Sequence, residues 1–439
     1  MTGRYKAYAQ YQDSGIEWLK DMPIHWQLVR AKHLFKRVQR PVRPEDGIVT
    51  AFRDGEVTLR SNRRTDGFTN AAKEIGYQGV RKGDLLVHAM DGFAGAIGMS
   101  DSDGKCSPVC SVCVPWDDSA VDTNYYGYLV RQLAVTDYIT SLAKGIRERS
   151  TEFRFNEFSS LPLAVPPYEE QQKIANFLNH ETAKINTLIV KQEKLIELLK
   201  EKRRAVISHA VTKGLNPDVP MKDSGVEWLG EVPEHWEVSK LKFESAVIDC
   251  RNKTPEYFED GEYFVVRTTN VKNQKLNFDG ALYTNERDFK IWTQRGVPPV
   301  GSILFTREAP MGEVCLVPDN LKFCMGQRMM NFIAHDESYS NYLFDYLISD
   351  CLERYIGSVS HGSTVSHLRV EQVENIPVLV PPQNEIMEIH SEISKLKRKY
   401  DALEVKAVAT IGLMKERKTA LISAAVTGKI DVRDWAGDC

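Results

Sequence analysis

Two long stretches of the chain place apolar residues at alternating steps of three and four, with lysine and glutamate between them. Such spacing, sustained over about four heptads, is typical of a coiled coil. The pattern predicts two long helices that pair with each other; two separate amphipathic helices, each packed on its own domain, are the alternative. The expected seam positions are Ile174, Leu178, Ile185, Leu188, Leu195, Leu199 and Val206 in the first stretch, and Ile389, Ile393, Leu396, Tyr400, Leu403, Ala407, Thr410, Met414 and Leu421 in the second.

Each stretch begins directly after a Pro-Pro dipeptide. Pro167 and Pro382 stand near the first turn, where a helix tolerates proline. Glu169 and Glu170 follow, and the positive end of the helix dipole favours carboxylates there. A helix from Pro167 to Ser208 would be roughly 60 Å long.

The segments upstream of the two stretches have the pattern of mixed α/β domains. "GDLLVHAM" (Gly83–Met90) and "GSILFTRE" (Gly301–Glu308) each predict a glycine turn into a short buried strand. "AGAIGMS" and "MGEVCLV" follow as second strands, and "NYYGYLVRQL" and "NYLFDYLISD" then predict amphipathic helices. The two segments therefore share a skeleton although they share few residues.

The chain also repeats itself. "DSGIEWLKDMPIHW" (Asp13–Trp26) returns 210 residues later as "DSGVEWLGEVPEHW" (Asp223–Trp236). "LPLAVPP" and "KEKRRAVISHAVT" return 215 residues later as "IPVLVPP" and "KERKTALISAAVT", with no insertion between the two motifs. The predicted domains are residues 1–166, a first variable domain; 167–213, a first helical region; 214–381, a second variable domain; and 382–439, a second helical region with a C-terminal tail.

Composition narrows the class of protein. The 439 residues carry a net charge of -3, so a nucleic-acid site would have to be built from local basic clusters. No apolar run reaches the roughly 18 residues of a spanning helix, and the N-terminus lacks an apolar signal core. Eight cysteines without a secretion signal fit a reducing cytoplasm, so we expect a cytoplasmic protein with no membrane partner.

The sequence offers no catalytic constellation. It has no phosphate-binding G-x-x-x-x-G-K-[ST] loop, and "VPPY" has valine where an adenine methyltransferase has Asn or Asp. Cys106, Cys110 and Cys113 lack a fourth ligand at finger spacing, so buried thiols are favoured over zinc. His25 and His235, each before a tryptophan, are expected to be structural. We therefore predict no catalytic residues, no metal and no cofactor on this chain.

On these motifs the chain resembles the specificity subunits of type I restriction–modification systems. The resemblance is carried by the doubled "DSG-[IV]-EWL…P-x-HW", by "[LI]-P-[LV]-x-V-P-P" before each long helix and by "LFTREAPMGEV", and covers about Tyr11 to Ile430. It implies an α+β fold with a pseudo-twofold internal repeat. Two mixed α/β target-recognition domains would be separated by a long antiparallel two-helix coiled coil.

The resemblance also implies partners. Each recognition domain would read one half of a split site in double-stranded DNA, and the coiled coil would set the gap and dock two methyltransferase subunits. Restriction subunits, which carry the motor and the nuclease, would complete the complex. S-adenosylmethionine, ATP and magnesium are expected on those partners, and this chain would be the non-catalytic reader.

Contacts to DNA need Arg and Lys for phosphates, and Arg, Asn, Gln, Ser, Thr or His for base edges. The candidates in the first variable domain are Arg60, Asn62, Arg63, Arg64, Lys144, Arg147, Arg149, Ser150, Thr151 and Arg154. Those in the second are Arg251, Asn252, Lys253, Arg267, Thr268, Asn270, Arg307, Gln327, Arg328, His361, Ser363, Thr364 and His367. For any one of them, a solvated surface charge or a turn is the alternative.

Two loops stand out among these candidates. Lys144–Arg154 and Ser358–His367 occupy corresponding positions upstream of the long helices, where the resemblance implies a DNA-contacting element. The basic runs Lys200–Arg204 and Lys395–Lys399 lie within the helices, and we expect them to flank the seam. A self-contained methyltransferase or nuclease and a purely structural coiled-coil protein are the competing function classes.

Overall fold

The computed structural model of the protein describes residues 5–63, 74–136, 138–142, 152–251, 253–359 and 367–437. The chain divides into two compact units. The first unit comprises Met1–Gln192 and Ala409–Cys439, and the second comprises Glu193–Val408. Each unit therefore contains one variable domain together with part of each helical region.

Both long helices form where the heptad pattern predicts them. The first runs over Tyr168–Lys213 and the second over Gln383–Val426, each beginning directly after the second proline of its Pro-Pro dipeptide. They are 46 and 44 residues long. The proline ring fixes a backbone angle compatible with a first turn and has no N–H to leave unpaired, which explains the sharp start.

The helices pair antiparallel, as the resemblance implies. In the first unit, the Lys418 ammonium donates to the Asn186 side-chain oxygen at 2.9 Å. In the second unit, Lys200 lies 3.1 Å from Glu404 and Arg203 lies 2.7 Å from Asp401. Each step forward along the first helix is matched by an equal step back along the second, so one register accounts for the pairs in both units.

Burial of the predicted seam is uneven. Its outer positions are buried, among them Ile174, Leu178, Ile185, Ile389, Ile393 and Leu421. Leu188 and Leu195 remain 45% and 42% exposed, whereas the adjacent Ile189 and Ile196 are half-buried, so the seam prediction is wrong at these two positions. A pair of helices covers only one face of each seam residue, and the outer positions also pack in the core of a variable domain.

Each variable domain contains a four-stranded antiparallel sheet with the same strand order. In the first unit the neighbours across the sheet are Phe35–Val38, Cys110–Pro115, Leu85–His88 and Ile97–Met99. In the second unit they are Ser245–Asp249, Met329–Ala334, Ile303–Thr306 and Val314–Leu316. The skeleton expected from the shared glycine turns and strand patterns is thus present in both.

Short strand pairs surround each sheet. In the first unit they are Tyr11–Asp13 with Asp21–Pro23, Gln27–Arg30 with Pro162–Val165, Val49–Ala51 with Val57–Leu59, and Gln78–Val80 with Gly104–Cys106. In the second they are Met221–Asp223 with Glu231–Pro233, Glu237–Lys240 with Pro377–Val380, and Val271–Lys272 with Lys275–Leu276. A three-stranded sheet of Tyr283–Thr284, Tyr263–Val266 and Phe323–Met325 completes the second unit.

Short helices accompany the strands in each unit. The first unit has Ala31–Leu34, Thr123–Val135, Tyr138–Leu142 and Phe155–Ser160, with 3-10 turns at Arg60–Asn62 and Gly92–Ala94. The second has Leu241–Glu244, Glu286–Trp292, Glu337–Leu347, Asp350–Val359 and Val370–Glu374, with a 3-10 turn at Thr268–Asn270. Among the residues described, no helix is both long and apolar enough to cross a bilayer.

One tyrosine in each unit ties the variable domain to a helix end. The Tyr125 hydroxyl lies 3.3 Å from the Ala164 carbonyl oxygen and 3.4 Å from that of Val426. Its counterpart Tyr342 donates to the Val211 carbonyl at 2.7 Å. Val211 and Val426 are equivalent positions near the ends of the two long helices, so both units use the same contact.

The repeated opening phrase anchors the start of each long helix. In the first unit, the Glu170 carboxylate accepts from the Trp26 indole at 2.9 Å and lies 2.8 Å from the His25 ring nitrogen. In the second, Glu385 accepts from Trp236 at 3.0 Å and lies 2.6 Å from His235. The structural role expected for the two histidines is confirmed, because each pair binds a first-turn carboxylate.

The first anchor has an additional donor. Tyr8 donates to Glu170 at 2.5 Å, and burial followed by this bond raises the pKa of the Tyr8 phenol well above its usual value. The segment after the second long helix packs beside it: the Asp431 N–H donates to the Lys6 carbonyl at 2.8 Å, and Arg433 lies over the Tyr8 ring. The described residues before the repeated phrase therefore contribute to the first core.

Candidate nucleic-acid interface

Predicted DNA-contacting residues from separate segments meet at one edge of the second unit. The strands Tyr263–Val266 and Phe323–Met325 are parallel, so their carboxyl ends lie side by side. Arg267 directly follows the first of these strands, and Gln327 and Arg328 follow the second. The Gly326 N–H donates to the Val266 carbonyl at 2.8 Å, which holds the two strand exits together.

Two further segments join this edge through backbone hydrogen bonds. Arg307 follows the sheet strand Ile303–Thr306, and its N–H donates to the Arg328 carbonyl at 2.9 Å. The Leu368 N–H donates to the Arg307 carbonyl at 3.0 Å, which brings the end of the loop containing His367 to the same place. Thr268 donates from its hydroxyl to the Ala309 carbonyl at 3.1 Å.

Some of the predicted DNA-contacting residues are buried and bind other groups of the protein. The Asn270 side chain is 1% exposed; it accepts from the Arg267 N–H at 3.0 Å and donates to the Asn277 carbonyl at 3.0 Å. Arg307 is 8% exposed and lies 3.4 Å from the Asp249 carboxylate. These two side chains hold the edge in shape through contacts to other groups of the protein.

Two further predicted DNA-contacting residues follow the strand Ser245–Asp249. Arg251 is half-buried, lies over the Trp292 ring at 5.8 Å and contacts the Ile291 carbonyl at 3.4 Å. The exposed Lys253 accepts the Trp292 indole N–H on its backbone carbonyl at 3.1 Å. The Arg251 guanidinium is therefore partly engaged by Trp292, whereas the contact at Lys253 involves only its backbone.

Gln327 and Arg328 are exposed at the centre of the edge. They lie in the turn between Phe323–Met325 and Met329–Ala334, and Arg328 adopts a left-handed backbone with φ of 67°. The Arg328 guanidinium forms an ion pair with Glu308, whose side chain is 19% exposed against 49% for the arginine. A cation is thus presented to solvent from a fixed turn, with an acid beside it.

The candidates in the first unit follow the strand Val57–Leu59. Arg60 donates to the Thr50 hydroxyl at 2.9 Å, and Asn62 donates to the Thr58 hydroxyl at 2.9 Å. Arg63 is exposed, pairs with Asp54 at 2.6 Å and Glu56 at 3.1 Å, and lies over the Phe52 ring at 4.2 Å.

The ion pair between Arg63 and Asp54 shifts the pKa of both groups. Partial burial alone would raise the pKa of the Asp54 carboxyl, but hydrogen bonds from Arg63 and from the Glu56 N–H outweigh it and lower that pKa. The bond to Asp54 in turn raises the pKa of the Arg63 guanidinium. Both groups are therefore charged at neutral pH, and the pair persists.

The two predicted loops are anchored in equivalent ways at their downstream ends. In the first unit, the Phe153 N–H donates to the Ala89 carbonyl at 2.7 Å, and Ala89 directly follows the strand Leu85–His88. This matches the bond from Leu368 to Arg307 in the second unit. Arg154, the next residue, is exposed and pairs with Glu152. The remaining predicted residues lie outside the described residues: Arg64, Lys144, Arg147, Arg149, Ser150, Thr151, Asn252, His361, Ser363 and Thr364.

The basic runs on the long helices make ion pairs of two kinds. Lys200 and Arg203 bind acids of the facing helix, which fits the flanking role expected for them. Lys397 instead binds Asp345, which is fully buried in the helix Glu337–Leu347 of the variable domain, and His390 contacts the same carboxylate at 3.1 Å. The flanking role expected for the second run is therefore wrong for Lys397.

The three clustered cysteines are buried, as the thiol interpretation expects. Cys106 and Cys110 pack in the smaller core of the first unit, and Cys113 faces its main core. Burial raises the pKa of the Cys113 thiol above its usual value. Within the described ranges, no three His, Cys, Asp or Glu side chains are grouped to hold a metal ion.

The carboxylates beside the candidate arginines were not anticipated from the sequence. Asp54, Glu56, Asp249 and Glu308 each pair with an arginine that the sequence had singled out. DNA contacts are expected from basic and amide side chains, so acidic residues are not selected as candidates. The one available signal was proximity along the chain, since Asp54 and Glu56 lie within nine residues of Arg63.

Comparison with known protein families agrees with this architecture. A family model described as type I restriction modification DNA specificity domain matches residues 233–411. That segment covers most of the second variable domain and about the first two thirds of the second long helix.

Curated relatives carry the same description. The type I restriction enzyme MjaVIII specificity subunit of Methanocaldococcus jannaschii is 25% identical over 287 residues, 63% of this chain and 64% of that protein. The EcoKI specificity subunit of Escherichia coli K12 is 20% identical over 386 residues, 84% of this chain and 79% of its own.

A solved structure shares the fold. A chain from a study of complex assembly and conformational transition of the type I R-M system superposes with a TM-score of 0.65 at 13% identity. The superposition covers 92% of this chain and 98% of that one. At this identity the likeness concerns the fold alone.

Proposed function

Because the chain belongs to the family of type I restriction–modification specificity subunits, we propose that each of its units reads one half of a bipartite site in double-stranded DNA. The antiparallel coiled coil sets the gap between the half-sites and docks two methyltransferase subunits. The chain itself performs no chemistry. It locates the adenines that its partners modify.

One observation carries this proposal. Both units have the same sheet order and the same helix anchor, while the loops at the strand exits differ in sequence. A scaffold that repeats while its exposed loops change is suited to reading two unlike sequences. Side chains at base edges supply the discrimination, at about 1–3 kcal/mol for each good bidentate contact.

The long helices supply the second requirement. Two half-sites on one face of DNA lie about 34–36 Å apart, or a multiple of that distance. A helix of 46 residues is about 70 Å long and, once paired along its seam, is stiff enough to hold a fixed separation. We propose that its length selects the gap.

The chemistry belongs to the partners in this proposal. The methyltransferase subunits bind S-adenosylmethionine and flip one adenine in each half-site into their active sites. Restriction subunits use ATP and magnesium, and the methylation state of the site determines whether they cleave. A self-contained methyltransferase or nuclease is disfavoured because the sequence lacks the motifs for those cofactors. A purely structural coiled coil is disfavoured because basic and amide side chains converge at a strand edge.

The experiment that tests the proposal shortens the coiled coil by one heptad. Asn186 faces Lys418 and Lys200 faces Glu404, so residues 190–196 and 408–414 must be removed together to keep the register of the flanking pairs. Seven residues correspond to about 10 Å of helix. We expect both half-site sequences to persist while the gap shortens by up to about three base pairs.

The control is deletion of residues 190–196 alone. That change leaves the second helix at full length and slides every ion pair on one side of the cut out of register, so we expect loss of site-specific methylation. Methylated adenines are mapped in cells that carry the complete system with each variant. An unchanged gap after the matched deletion would contradict the proposal that the helices set it.

A further inference from the structure

The exposed candidate arginines in both units are held by acids of their own domain. Arg63 binds Asp54 and Glu56, and Arg328 binds Glu308. An exposed ion pair contributes little to folding stability. The repeated pairing of predicted DNA-contacting arginines with carboxylates therefore calls for an explanation in binding.

We propose that Glu308 is a specificity-determining residue that acts through Arg328. On DNA of the wrong sequence, Arg328 stays with the Glu308 carboxylate, because exchanging that anion for a backbone phosphate yields little. On the correct half-site, Arg328 keeps Glu308 as a partner and directs its other N–H groups to a guanine edge, which an arginine contacts through two hydrogen bonds. The inference rests on the function proposed above and assigns one contact of the second half-site.

The loop that carries Glu308 is fixed, so the acid stays beside the arginine. The Thr306 hydroxyl donates to the Pro310 carbonyl at 2.6 Å and accepts from the Glu313 N–H at 2.9 Å. The Gly312 N–H donates to the Thr306 carbonyl at 2.8 Å. The Thr268 hydroxyl holds the Ala309 carbonyl from the neighbouring segment.

Arg328 is fixed at its backbone and free to reorient at its head. Its left-handed φ of 67° belongs to a tight turn, and its carbonyl accepts from the Arg307 N–H at 2.9 Å. Its side chain is 49% exposed. A long side chain on a rigid turn, paired with Glu308 through one nitrogen, can present its other N–H groups to a groove without any movement of the sheet.

Because the whole chain has little net charge, an acid beside one arginine can reduce non-specific binding to DNA. With a net charge of -3, non-specific attraction to DNA depends on local cations. Each phosphate contact adds about 0.9 to the slope of log K against log salt. An arginine that stays with its carboxylate adds no such contact, and non-specific binding is suppressed while base-specific binding is retained.

The test compares Glu308→Gln with Arg328→Ala in the full chain assembled with its methyltransferase subunits. Binding is measured against a duplex carrying the bipartite site mapped in the host and against a scrambled duplex of equal length and composition, over a series of salt concentrations. Glutamine keeps the size of the side chain and removes its charge.

For Glu308→Gln we expect scrambled-duplex affinity to rise about fivefold at 0.15 M salt, with a slope steeper by about 0.9. Affinity for the mapped site should change less, so discrimination falls. Arg328→Ala should weaken binding to the mapped site about tenfold or more, because its guanine contact is lost. Glu392→Gln is the control, since it removes the same charge from a pair with Lys395 on the second long helix.

Three results would overturn the inference. They are an unchanged salt slope in Glu308→Gln, an equal shift in Glu392→Gln, and full site affinity in Arg328→Ala. None of them touches the proposed function, which fails only if the unaltered complex does not prefer the mapped duplex to the scrambled one.

Discussion

The two variable domains share several of their attachments to the long helices, whereas their sequences diverge where the strands end. Both sheets have the same strand order, both anchor a first-turn glutamate with a His-Trp pair, and both tie a tyrosine to a helix end. At the strand exits the residue after the central strand is Ala89 in one domain and Arg307 in the other. The attachment is duplicated, and the reading surface is free to vary.

A second difference lies at the contact between each domain and its helices. In the second unit, the fully buried Asp345 binds Lys397 and contacts His390. In the first, Tyr128 occupies the equivalent position and its hydroxyl lies 3.0 Å from the Asn179 side-chain oxygen and 3.4 Å from the Thr182 hydroxyl. One domain is attached through a buried charge and the other through neutral hydrogen bonds.

This difference gives the largest expected effect. Asp345→Ala leaves Lys397 charged and without its partner, which costs about 3–5 kcal/mol of the free energy of unfolding. Tyr128→Phe removes neutral hydrogen bonds and costs about 1 kcal/mol. Urea denaturation of the full chain, followed by tryptophan fluorescence, measures both. Equal losses would show that the two attachments are energetically alike.

The helix anchors give the next largest effect. Glu170 accepts from Tyr8 and Trp26 and contacts His25, whereas Glu385, among the residues that the structure describes, contacts Trp236 and His235 alone. Each buried donor left unpaired costs about 1–3 kcal/mol. We expect Glu170→Ala to lower the free energy of unfolding by about 3 kcal/mol and Glu385→Ala by about half as much.

The control for the anchors is Tyr8→Phe. It removes one donor from Glu170 and leaves the ring in place, so the two anchors should then resemble each other. If Glu385→Ala proves as costly as Glu170→Ala, the extra contact contributes nothing.

The smallest expected effect concerns the acids of the first domain. Asp54→Asn leaves Arg63 with Glu56 at 3.1 Å, whereas Glu308→Gln removes the acid paired with Arg328. We expect scrambled-duplex affinity to rise about twofold in Asp54→Asn, less than in Glu308→Gln. Salt titration of both variants measures the difference. A larger rise in Asp54→Asn would mean that Glu56 does not share the arginine.

Much of the scaffold could be predicted from the sequence because its signals are local. The prolines before each helix, the heptad spacing and the glycine turns before Leu85–His88 and Ile303–Thr306 all act within a few residues. Both motifs of the helical regions repeat with the same offset of 215 residues. The two helices therefore have matching length and register, which indicates that they pair with each other.

The contacts that complete the scaffold were not predictable, because they join residues far apart in the chain. Glu170 and Trp26 are 144 residues apart, and the repeat shows that both recur without showing that they touch. At the candidate interface, residue type identified Arg267, Arg307 and Arg328 as candidates, but the parallel strand pair and the bond from the Arg307 N–H to the Arg328 carbonyl bring them together. The structure also shows that the side chains of Asn270 and Arg307 are buried.

Independent reading by the two domains is tested most directly by a map of methylated adenines in cells that carry the complete system, with the unaltered chain and with Arg328→Ala. For the unaltered chain we expect two unlike half-sites at a fixed gap. For the variant we expect relaxed sequence preference in one half-site only, with the other half-site and the gap unchanged. A single continuous motif, or a variant that relaxes both half-sites equally, would contradict the claim that the two domains read DNA independently.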